Sequence, residues 1–206
     1  MNYEDSHVHA VYDRISHDYS RTRVNVWPFV KSFIDSLKTN ESLIDIGCGN
    51  GYNSEMRNDL NVTGIDQCSN FIEMCELKGL NVLKMNCCDL NFENKKFDNG
   101  ISIAVFHHLS TKERRISALS EMIRVLKPDG SGLISLWSVE NQRKHKFVKG
   151  DNIVNWTLPS GVKYERYYYI FDELLVNEYL SSFSKLITVQ SITNERGNWF
   201  IVFKKI

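Results

Sequence analysis

The chain opens with two stretches in which apolar residues recur every three or four positions, the spacing of one helix face. The first stretch predicts a helix from about residue 8 to residue 19. Its apolar face consists of Val8, Val11, Tyr12, Ile15 and Tyr19. The second helix is predicted to begin at Trp27-Pro28, because a first helical turn tolerates the missing N–H of proline. It continues to about Leu37.

The period changes at Leu43, where short apolar runs replace the helical stripes. LIDIG, NVTGID and NVLKMN predict the first three strands. Helix-compatible segments separate them, one with Asn70 and Glu73 at capping-box spacing. FDNGISIAVFHHL contains a fourth strand, Ser110 and Glu113 repeat the capping spacing before a helix, and GLISLW is a fifth strand. Strands that alternate with helices predict a parallel sheet with helices on both faces.

The end of the chain differs from the middle. LITVQSI, a turn around residues 194–198 and WFIVFKK predict an antiparallel hairpin. A parallel sheet closed by such a hairpin resembles the class I methyltransferases, a Rossmann-like class, rather than the dehydrogenases. The expected α/β fold therefore has a seven-stranded, mostly parallel sheet with a C-terminal antiparallel hairpin. The 206 residues predict one domain over residues 1–206, since cores usually divide beyond roughly 250 residues.

Charge and hydropathy narrow the classes of function. Lys plus Arg number 25 and Asp plus Glu number 25, so any nucleic-acid surface must be a local patch. No apolar run reaches the ~20 residues that a membrane helix needs. The polar N-terminus, MNYEDSHVHA, is unlike a targeting peptide. We expect a cytoplasmic protein with no membrane partner.

The cysteines and histidines predict neither disulfides nor a metal site. Five cysteines at irregular positions do not form a disulfide pattern. Cys87-Cys88 and His107-His108 are adjacent pairs and lack the Cys-x-x-Cys spacing of structural zinc. We therefore expect a reduced protein without bound metal.

The segment Asp45-Ile46-Gly47-Cys48-Gly49-Asn50-Gly51 follows the first predicted strand and is expected to lead into a helix. The loop has no Cβ at Gly47, Gly49 or Gly51, so a ligand can approach its backbone closely at these positions. Ligands of open α/β sheets bind at the carboxyl ends of strands. The Gly-x-Gly-x-Gly spacing is not that of dinucleotide folds, and S-adenosylmethionine has no pyrophosphate to bind. The spacing therefore favours S-adenosylmethionine, with a ligand-free glycine turn as the alternative.

Two further acids follow the next strands. Asp66 ends the second strand about twenty residues after Asp45, the spacing at which an acid accepts ribose hydroxyls. Asp89 follows the third strand, placed to meet the adenine amino group, with Leu90 beside it. Each aspartate alone is more often a solvated strand-end residue, but three at successive strand ends favour a cofactor site. Tyr12 completes the predicted cofactor contacts.

Longer blocks resemble the eukaryotic tRNA wobble-uridine carboxymethyl methyltransferases over nearly the whole chain. They are VYDRIS, SRTRVNVWP, DIGCGNG, ISIAVFHHLSTKERR, LISLW, Val154-Asn155-Trp156, ERYYYIF and RGNWFIVF. The resemblance implies an enzyme that forms the methyl ester of 5-carboxymethyluridine in the anticodon, with S-adenosylmethionine as donor and tRNA as partner. It also implies a heterodimer with a small zinc-binding activator subunit. The chain departs from the family at Tyr52, where a lysine or arginine is usual.

The implied reaction needs positioning more than acid–base catalysis. A carboxylate with a pKa of roughly 4 is already ionised, so no general base is needed. Arg21 and Arg23 could close over the cofactor or hold that carboxylate, because arginine pairs with carboxylates in bidentate geometry. Arg166 is a second candidate for holding it. His107 or its neighbour His108 is the candidate beside the transfer point, and Trp137 for stacking on the base. Structural roles for one histidine and for Trp137 are the alternatives.

Two other functions fit the cofactor loop: a small-molecule or protein methyltransferase, and a catalytically silent scaffold that binds RNA or a partner. The blocks after Ala104 argue against the first, and the intact glycine loop argues against the second. A basic run without an acid, Arg143, Lys144, Lys146 and Lys149, is either solvated surface or a phosphate contact.

The third strand, Asn81 to Asn86, is the expected site for the activator, because it lies at the sheet edge in the usual strand order. An open apolar edge is a liability, and a partner strand would bury Val82, Leu83 and Met85. Lys84 supports the alternative, because an edge lysine also protects the strands of monomers.

Overall fold

The computed structural model describes residues 3–23, 25–140 and 147–206. Its α-helices are α1 (Ala10–Arg21), α2 (Pro28–Asp35), α3 (Ser69–Leu77), α4 (Lys112–Val125) and α5 (Glu173–Ser181). Its strands are β1 (Ser42–Ile46), β2 (Asn61–Asp66), β3 (Val82–Lys84), β4 (Phe97–Ser102), β5 (Leu126–Trp137), β6 (Gly150–Thr157), β7 (Lys163–Ile170), β8 (Ile187–Glu195) and β9 (Asn198–Lys205). A π-helical turn, Asp5–His9, precedes α1, and a 3-10 turn, Phe106–His108, follows β4. None of the described helices is long and apolar enough to cross a membrane.

Seven strands form one sheet in the order β3-β2-β1-β4-β5-β9-β8. The first five strands pair in parallel, whereas β9 runs antiparallel to both β5 and β8. The predicted mostly parallel sheet with a C-terminal antiparallel hairpin is therefore confirmed. The order in which strands are added to the sheet reverses at β1, because β2 lies on one side of it and β4 on the other. The carboxyl end of β1 is therefore the position at which open α/β sheets bind ligands.

Both faces of the sheet are covered, as the strand–helix alternation predicts. Side chains of successive strand residues point to opposite faces. Ile44 and Ile46 of β1 join a buried cluster with residues of α4 and α5. Leu43 joins a second cluster with α2. All three side chains are almost fully buried, so the site at the end of β1 stands on a rigid core.

Two predicted elements differ in the structure. No helix follows the glycine loop, because residues 51–60 form successive turns, so the helix predicted there is wrong. The Ser54 hydroxyl donates to the Asp45 carboxylate at 2.8 Å, a local bond that competes with helical structure. β3 is shorter than predicted, since the chain turns after it, where the Asn86 side chain accepts the Cys88 N–H at 2.9 Å.

α3 and α4 do not use the predicted capping boxes. The N-cap of α3 is Cys68, and the Asn70 amide donates instead to the Asp13 carbonyl at 2.7 Å. The N-cap of α4 is Thr111, whose hydroxyl accepts the Arg114 N–H at 3.3 Å. α3 therefore begins two residues before, and α4 one residue after, the position that the predicted capping box gives.

β6 and β7 form a separate antiparallel hairpin that the sequence pattern did not predict. Its residues mix aromatic and charged side chains and lack clear alternation. Tyr167 is buried against α1 and α3, in a cluster that includes Ile15 and Phe71. This packing brings the hairpin beside the carboxyl ends of the parallel strands.

Candidate active site

The glycine loop begins at the carboxyl end of β1. The N–H groups of Gly47 and Cys48 both donate to the Ile65 carbonyl, at 2.8 and 2.9 Å, which ties the loop to the end of β2. Gly47 and Gly49 have φ values of +74° and +54°, in the left-handed region that favours glycine. The loop therefore presents backbone rather than side chains at the strand ends.

Alanine at Gly47 and at Gly49 should separate folding from ligand binding. A Cβ on Gly47 would lie 2.2 Å from Val105 Cγ2, so Gly47→Ala should lower the melting temperature. A Cβ on Gly49 would meet no protein atom within 4 Å. Gly49→Ala should therefore cost the fold only left-handed strain, about 1–2 kcal/mol. It should still weaken S-adenosylmethionine binding by about tenfold or more, because overpacking against the ligand costs ~1–3 kcal/mol.

Gly161→Ala is the matched control for this loop. Gly161 also has positive φ and open space around its Cβ position, but it lies in the β6–β7 turn. Thermal melting measures the strain, and calorimetric titration measures the affinity. Equal affinities for the Gly49 and Gly161 variants would show that the ligand does not pass over the loop.

Asp66, the last residue of β2, orients the loop. Its Oδ2 accepts the Gly49 N–H and its Oδ1 accepts the Cys68 N–H, both at 2.9 Å. Desolvation raises the pKa of Asp66 above its usual value, and the backbone hydrogen bonds oppose that rise. Each carboxylate oxygen has a second lone pair. The two oxygens can therefore also accept two ligand hydroxyls.

Asp45 lies behind the loop and is buried. Desolvation raises its pKa to about 7, although the hydrogen bond from Ser54 works in the opposite direction. Its other oxygen, Oδ1, has no hydrogen-bond partner among the described residues. Buried polar atoms are normally paired, and because Asp45 lines neither of the two cavities at the loop, this oxygen fits a buried water rather than a ligand.

Two cavities meet at the loop. The first has a volume of about 120 Å³ and the second of about 110 Å³. Both are lined by Tyr19, Gly47, Gly49, Ile103 and Ala104. Of the predicted cofactor contacts, the structure brings four to the first cavity: Tyr12, Gly47, Gly49 and Asp66. Asp45 and Gly51 support the loop without lining either cavity.

The structure does not bring Asp89 or Leu90 to these cavities, contrary to the prediction. The Leu90 side chain is buried in the core, and its N–H donates to the Glu121 carboxylate at 2.7 Å. Asp89 is exposed on the turn after β3. Because β3 ends early, Met85 and Cys87 line the first cavity instead.

The N-terminal turn covers the first cavity, which the sequence pattern did not predict. Val8 and His9 line it, and burial lowers the pKa of His9. The buried Glu4 carboxylate accepts the Ser110 N–H at 2.6 Å and the Arg114 guanidinium at 2.8 Å. The apolar stripe from Val8 was the only sequence signal for this cover, since nothing local marks an acid for burial.

Arg23 lines the second cavity, together with Trp27 and Tyr52. Its guanidinium lies 4.2 Å from the ring centroid of Tyr19 and donates to the Thr22 hydroxyl at 2.9 Å. No carboxylate forms an ion pair with Arg23 in the part of the chain that the structure describes. A carboxylate group of a ligand therefore fits beside it.

Tyr12 connects the first cavity to a buried polar network. His108 Nδ1 lies 2.9 Å from the Tyr167 carbonyl, which can only accept, so Nδ1 carries the proton. His108 Nε2 then accepts the Tyr12 hydroxyl at 2.9 Å, and Arg166 Nη1 donates to the same oxygen at 3.1 Å. Burial lowers the pKa of His108 to about 3. The imidazole is neutral at physiological pH and serves as a hydrogen-bonding group.

Arg166 is a buried cation that forms no ion pair with the described acids. Its side chain is enclosed by aromatic rings, with Cζ 5.0 Å from the Trp156 centroid and 5.1 Å from that of Tyr168. Its Nε has no hydrogen-bond partner among the described residues. A buried charge without a counter-ion is costly, and cation–π contacts offset only part of that cost. The environment therefore favours an anionic ligand.

His107 and Trp137 lie behind this network. The His107 ring stacks on Tyr168 at 4.8 Å between centroids, and Trp137 is 4.3 Å from the same ring. Of the histidine pair, His108 lines the first cavity, whereas His107 is packed behind it. Base stacking on Trp137 and a substrate contact by His107 stay predictions.

No cluster of His, Cys, Asp or Glu suited to a metal ion occurs among the described residues. In the predicted basic run, Arg143, Lys144 and Lys146 lie outside the described residues. Lys149 is described, and it pairs with Asp172 at 2.8 Å. That ion pair weakens the case for Lys149 as a phosphate contact.

The donor set of the two cavities fits S-adenosylmethionine. Asp66 offers two carboxylate oxygens to a diol, and the apolar wall of Phe71, Met85 and Leu109 suits a flat ring. Gly49 leaves an open cradle at the junction of the cavities. Arg23 in the second cavity suits the carboxylate of an amino acid. This assignment of contacts stays a prediction.

Known structures share this architecture. A family model described as a methyltransferase domain matches residues 44–134. An S-adenosylmethionine-dependent methyltransferase from Methanosarcina mazei superposes with a TM-score of 0.71 at 19% identity, covering 89% of this chain and 99% of that chain. A chain from the complex between the Haloferax volcanii Trm112 methyltransferase activator and a methyltransferase superposes with a TM-score of 0.73 at 15% identity, covering 96% of each. At these identities the likeness shows the fold.

Curated relatives carry the names of tRNA methyltransferases. The tRNA (carboxymethyluridine(34)-5-O)-methyltransferase of Schizosaccharomyces pombe is 28% identical over 228 residues, covering 100% of this chain and 99% of that protein. "Probable tRNA methyltransferase 9B" of Bos taurus is 37% identical over 153 residues, covering 74% of this chain and 34% of that protein. This chain spans about a third of the length of the first curated relatives it matches. The resemblance indicated by the sequence blocks is confirmed.

Proposed function

We propose that this chain is a methyltransferase of the Rossmann-like fold and that it methylates the carboxylate of 5-carboxymethyluridine at the wobble position of a tRNA anticodon. S-adenosylmethionine is the proposed methyl donor, and a methyl ester is the product. RNA binding and a cytoplasmic location belong to the same proposal. Relatives named for this reaction support it, and one observation of the structure carries it.

That observation is the buried guanidinium of Arg166 beside the cofactor cavity. Arg166 Nη1 reaches the Tyr12 hydroxyl at 3.1 Å, and the Tyr12 side chain lines the first cavity. Arg166 itself lines neither cavity and its Nε is buried, so a methyl acceptor that carries a carboxylate would supply the missing negative charge from the other side of Tyr12. A neutral hydroxyl or amine acceptor would leave the cation uncompensated. The site therefore favours an acid as the substrate.

The proposed reaction needs no general base, and the protonation state of His108 agrees with that. S-adenosylmethionine supplies a methyl group already activated by its positive sulfur. The acceptor carboxylate would be ionised at neutral pH, so no residue of this chain needs to take a proton from it. His108 is kept neutral by burial and is committed to Tyr12 and the Tyr167 carbonyl, so it holds these groups in place and moves no proton. Orientation supplies most of the rate enhancement.

The test is incubation of the protein with labelled S-adenosylmethionine and tRNA that bears 5-carboxymethyluridine, followed by nucleoside mass analysis. Label is expected in one nucleoside, and mild alkali should remove it, because methyl esters hydrolyse readily. The same tRNA with unmodified uridine is the control and should stay unlabelled. Alkali-stable label on another nucleoside would show that the chain methylates a different RNA position.

We further propose a small zinc-binding activator as the partner of β3. β3 is an edge strand of the sheet, and Leu83 on it is 42% exposed. Val82 is already buried within the chain and Met85 packs against the main core, so Leu83 is the chief apolar contact that a partner strand would gain. The Lys84 ammonium donates to the Ser69 hydroxyl at 2.6 Å, which draws it toward α3. A protein of similar fold, 15% identical, was solved in complex with the Trm112 methyltransferase activator, which supports a partner of that kind for this chain.

Co-expression with the activator should raise soluble yield and tRNA methylation. Leu83→Arg should weaken the heterodimer by about tenfold or more, because it removes a buried leucine worth ~1.5–3 kcal/mol. Leu186→Arg is the matched control, since Leu186 is 49% exposed and precedes the opposite edge strand. Size-exclusion chromatography and titration measure the complex. A monomeric single chain with full activity would contradict this partner.

A further inference from the structure

A groove runs along the outer face of α1, between the helix and the turn of the β6–β7 hairpin. We call it the α1 groove. It is lined by Arg14, His17, Asp18, Arg21, Leu158, Pro159 and Ser160. None of these residues lines either of the two cavities described above. The groove is therefore separate from the proposed cofactor site.

The basic residues of the α1 groove form a row along one helix face. Arg14, His17 and Arg21 are spaced by three and four positions, which places them on the same side of α1. All three are exposed. The axial distance from Arg14 to Arg21 is about 10 Å at the helical rise per residue. A row of this length spans two or three positive side chains along one direction.

The basic residues of this row are only partly paired with acids. Several other basic side chains are paired, as Lys31 is with Asp35 and Lys127 is with Asp98. Arg14 forms no ion pair with any described acid and lies 6.0 Å over the Tyr164 ring. Arg21 does have a partner, because it pairs with Asp18. The row is therefore a local positive patch, partly neutralised, on a chain of zero net charge.

The α1 groove lies one layer of side chains from the site. The Trp156 Nε1 donates to Asp18 at 2.9 Å, and the Trp156 ring is 5.5 Å from that of Tyr19. Tyr19 lines both cavities, and the Arg23 guanidinium lies over its ring. Tyr19 and Trp156 thus lie between Arg23 of the second cavity and Asp18 of the groove.

We propose that the α1 groove binds the phosphodiester backbone of the single-stranded RNA next to the target nucleotide. This assignment rests on the proposed function and names where its RNA substrate docks. Arginine pairs well with phosphate, and neutralised phosphates release counterions, so the contact adds affinity without reading sequence. Arg14 lines the groove, with its guanidinium 6.0 Å from the centroid of the Tyr164 ring, so it can meet a phosphate there.

The test is a salt titration with an unmodified anticodon stem–loop RNA as the probe. Arg14→Gln/Arg21→Gln should weaken binding at low salt and reduce the slope of log affinity against log salt by about 0.7 for each phosphate that the variant no longer neutralises. Asp18→Asn should tighten binding, because it frees Arg21 and removes a negative charge. Lys38→Gln/Lys185→Gln is the control, since it removes the same charge from exposed residues outside the groove.

The outcomes separate the groove from the proposed reaction. An unchanged salt slope in the arginine variant, or an equal reduction in the lysine control, would overturn the groove as an RNA contact. Competition by poly-glutamate as effective as that of RNA would also overturn it and indicate an acidic protein partner. A groove-dependent slope without methylation of carboxymethyluridine would uphold the groove and refute the proposed function. Methylation of carboxymethyluridine together with RNA binding that does not depend on the groove would uphold the proposed function and refute the groove.

Discussion

Replacing Asp66 with alanine should weaken S-adenosylmethionine binding by about 100-fold or more and leave the protein folded. The carboxylate is placed to accept two ribose hydroxyls, and charge-assisted hydrogen bonds are worth ~1.5–3 kcal/mol each. Tenfold in affinity corresponds to about 1.4 kcal/mol. Asp66 also accepts the Gly49 N–H at 2.9 Å, so its loss loosens the loop on which the ligand lies. Both effects act on binding, whereas the hydrophobic core is untouched.

Calorimetric titration measures this affinity, and circular dichroism checks the fold. Glu76→Ala is the control, because Glu76 is an exposed acid on the neighbouring helix α3. Asp66→Asn tests the charge, since an amide retains one acceptor but sets an NH2 group against a backbone N–H. An affinity for Asp66→Ala equal to that of the unmodified chain would refute the ribose assignment.

Arg166→Met should lower kcat/KM for carboxymethyluridine tRNA by about 100- to 1,000-fold, while cofactor affinity stays unchanged. Removing one partner of a buried, hydrogen-bonded charge pair costs ~2–5 kcal/mol, and about 1.4 kcal/mol is tenfold in rate. Thermal stability should be equal or higher. The guanidinium is buried without an ion pair to a described acid, so an apolar side chain removes a desolvation cost. Arg166→Lys should restore little activity, because an ammonium lacks the bidentate fork.

Arg115 provides the matched control for that experiment. It is also buried, but its Nη1 donates to the Leu109 carbonyl at 2.6 Å. Arg115→Met leaves that carbonyl unsatisfied and should lower the melting temperature. Single-turnover kinetics separate the chemical step from substrate binding. Retention of kcat/KM within threefold in Arg166→Met would exclude Arg166 as the carboxylate-binding residue.

The sequence by itself determined the sheet and the cofactor loop. Strand and helix periods are local patterns, and they predicted the parallel strands, the C-terminal hairpin and the glycine loop correctly. Asp66 was also found from sequence, since its place is set by the length of one strand–loop–strand unit. The family blocks added the reaction class, which no periodicity contains.

Only the tertiary structure decided which side chains meet at the site. Glu4 bonds to Ser110 across 106 positions, and Arg166 reaches Tyr12 across 154. Leu90 turned into the core because β3 ended two residues earlier than its apolar run suggested. Local patterns are set by backbone geometry within a few residues, whereas burial and ion pairing depend on segments that only packing brings together. The glycine loop could therefore be predicted from the sequence. The buried surroundings of Arg166, which favour an anion beside the loop, could not.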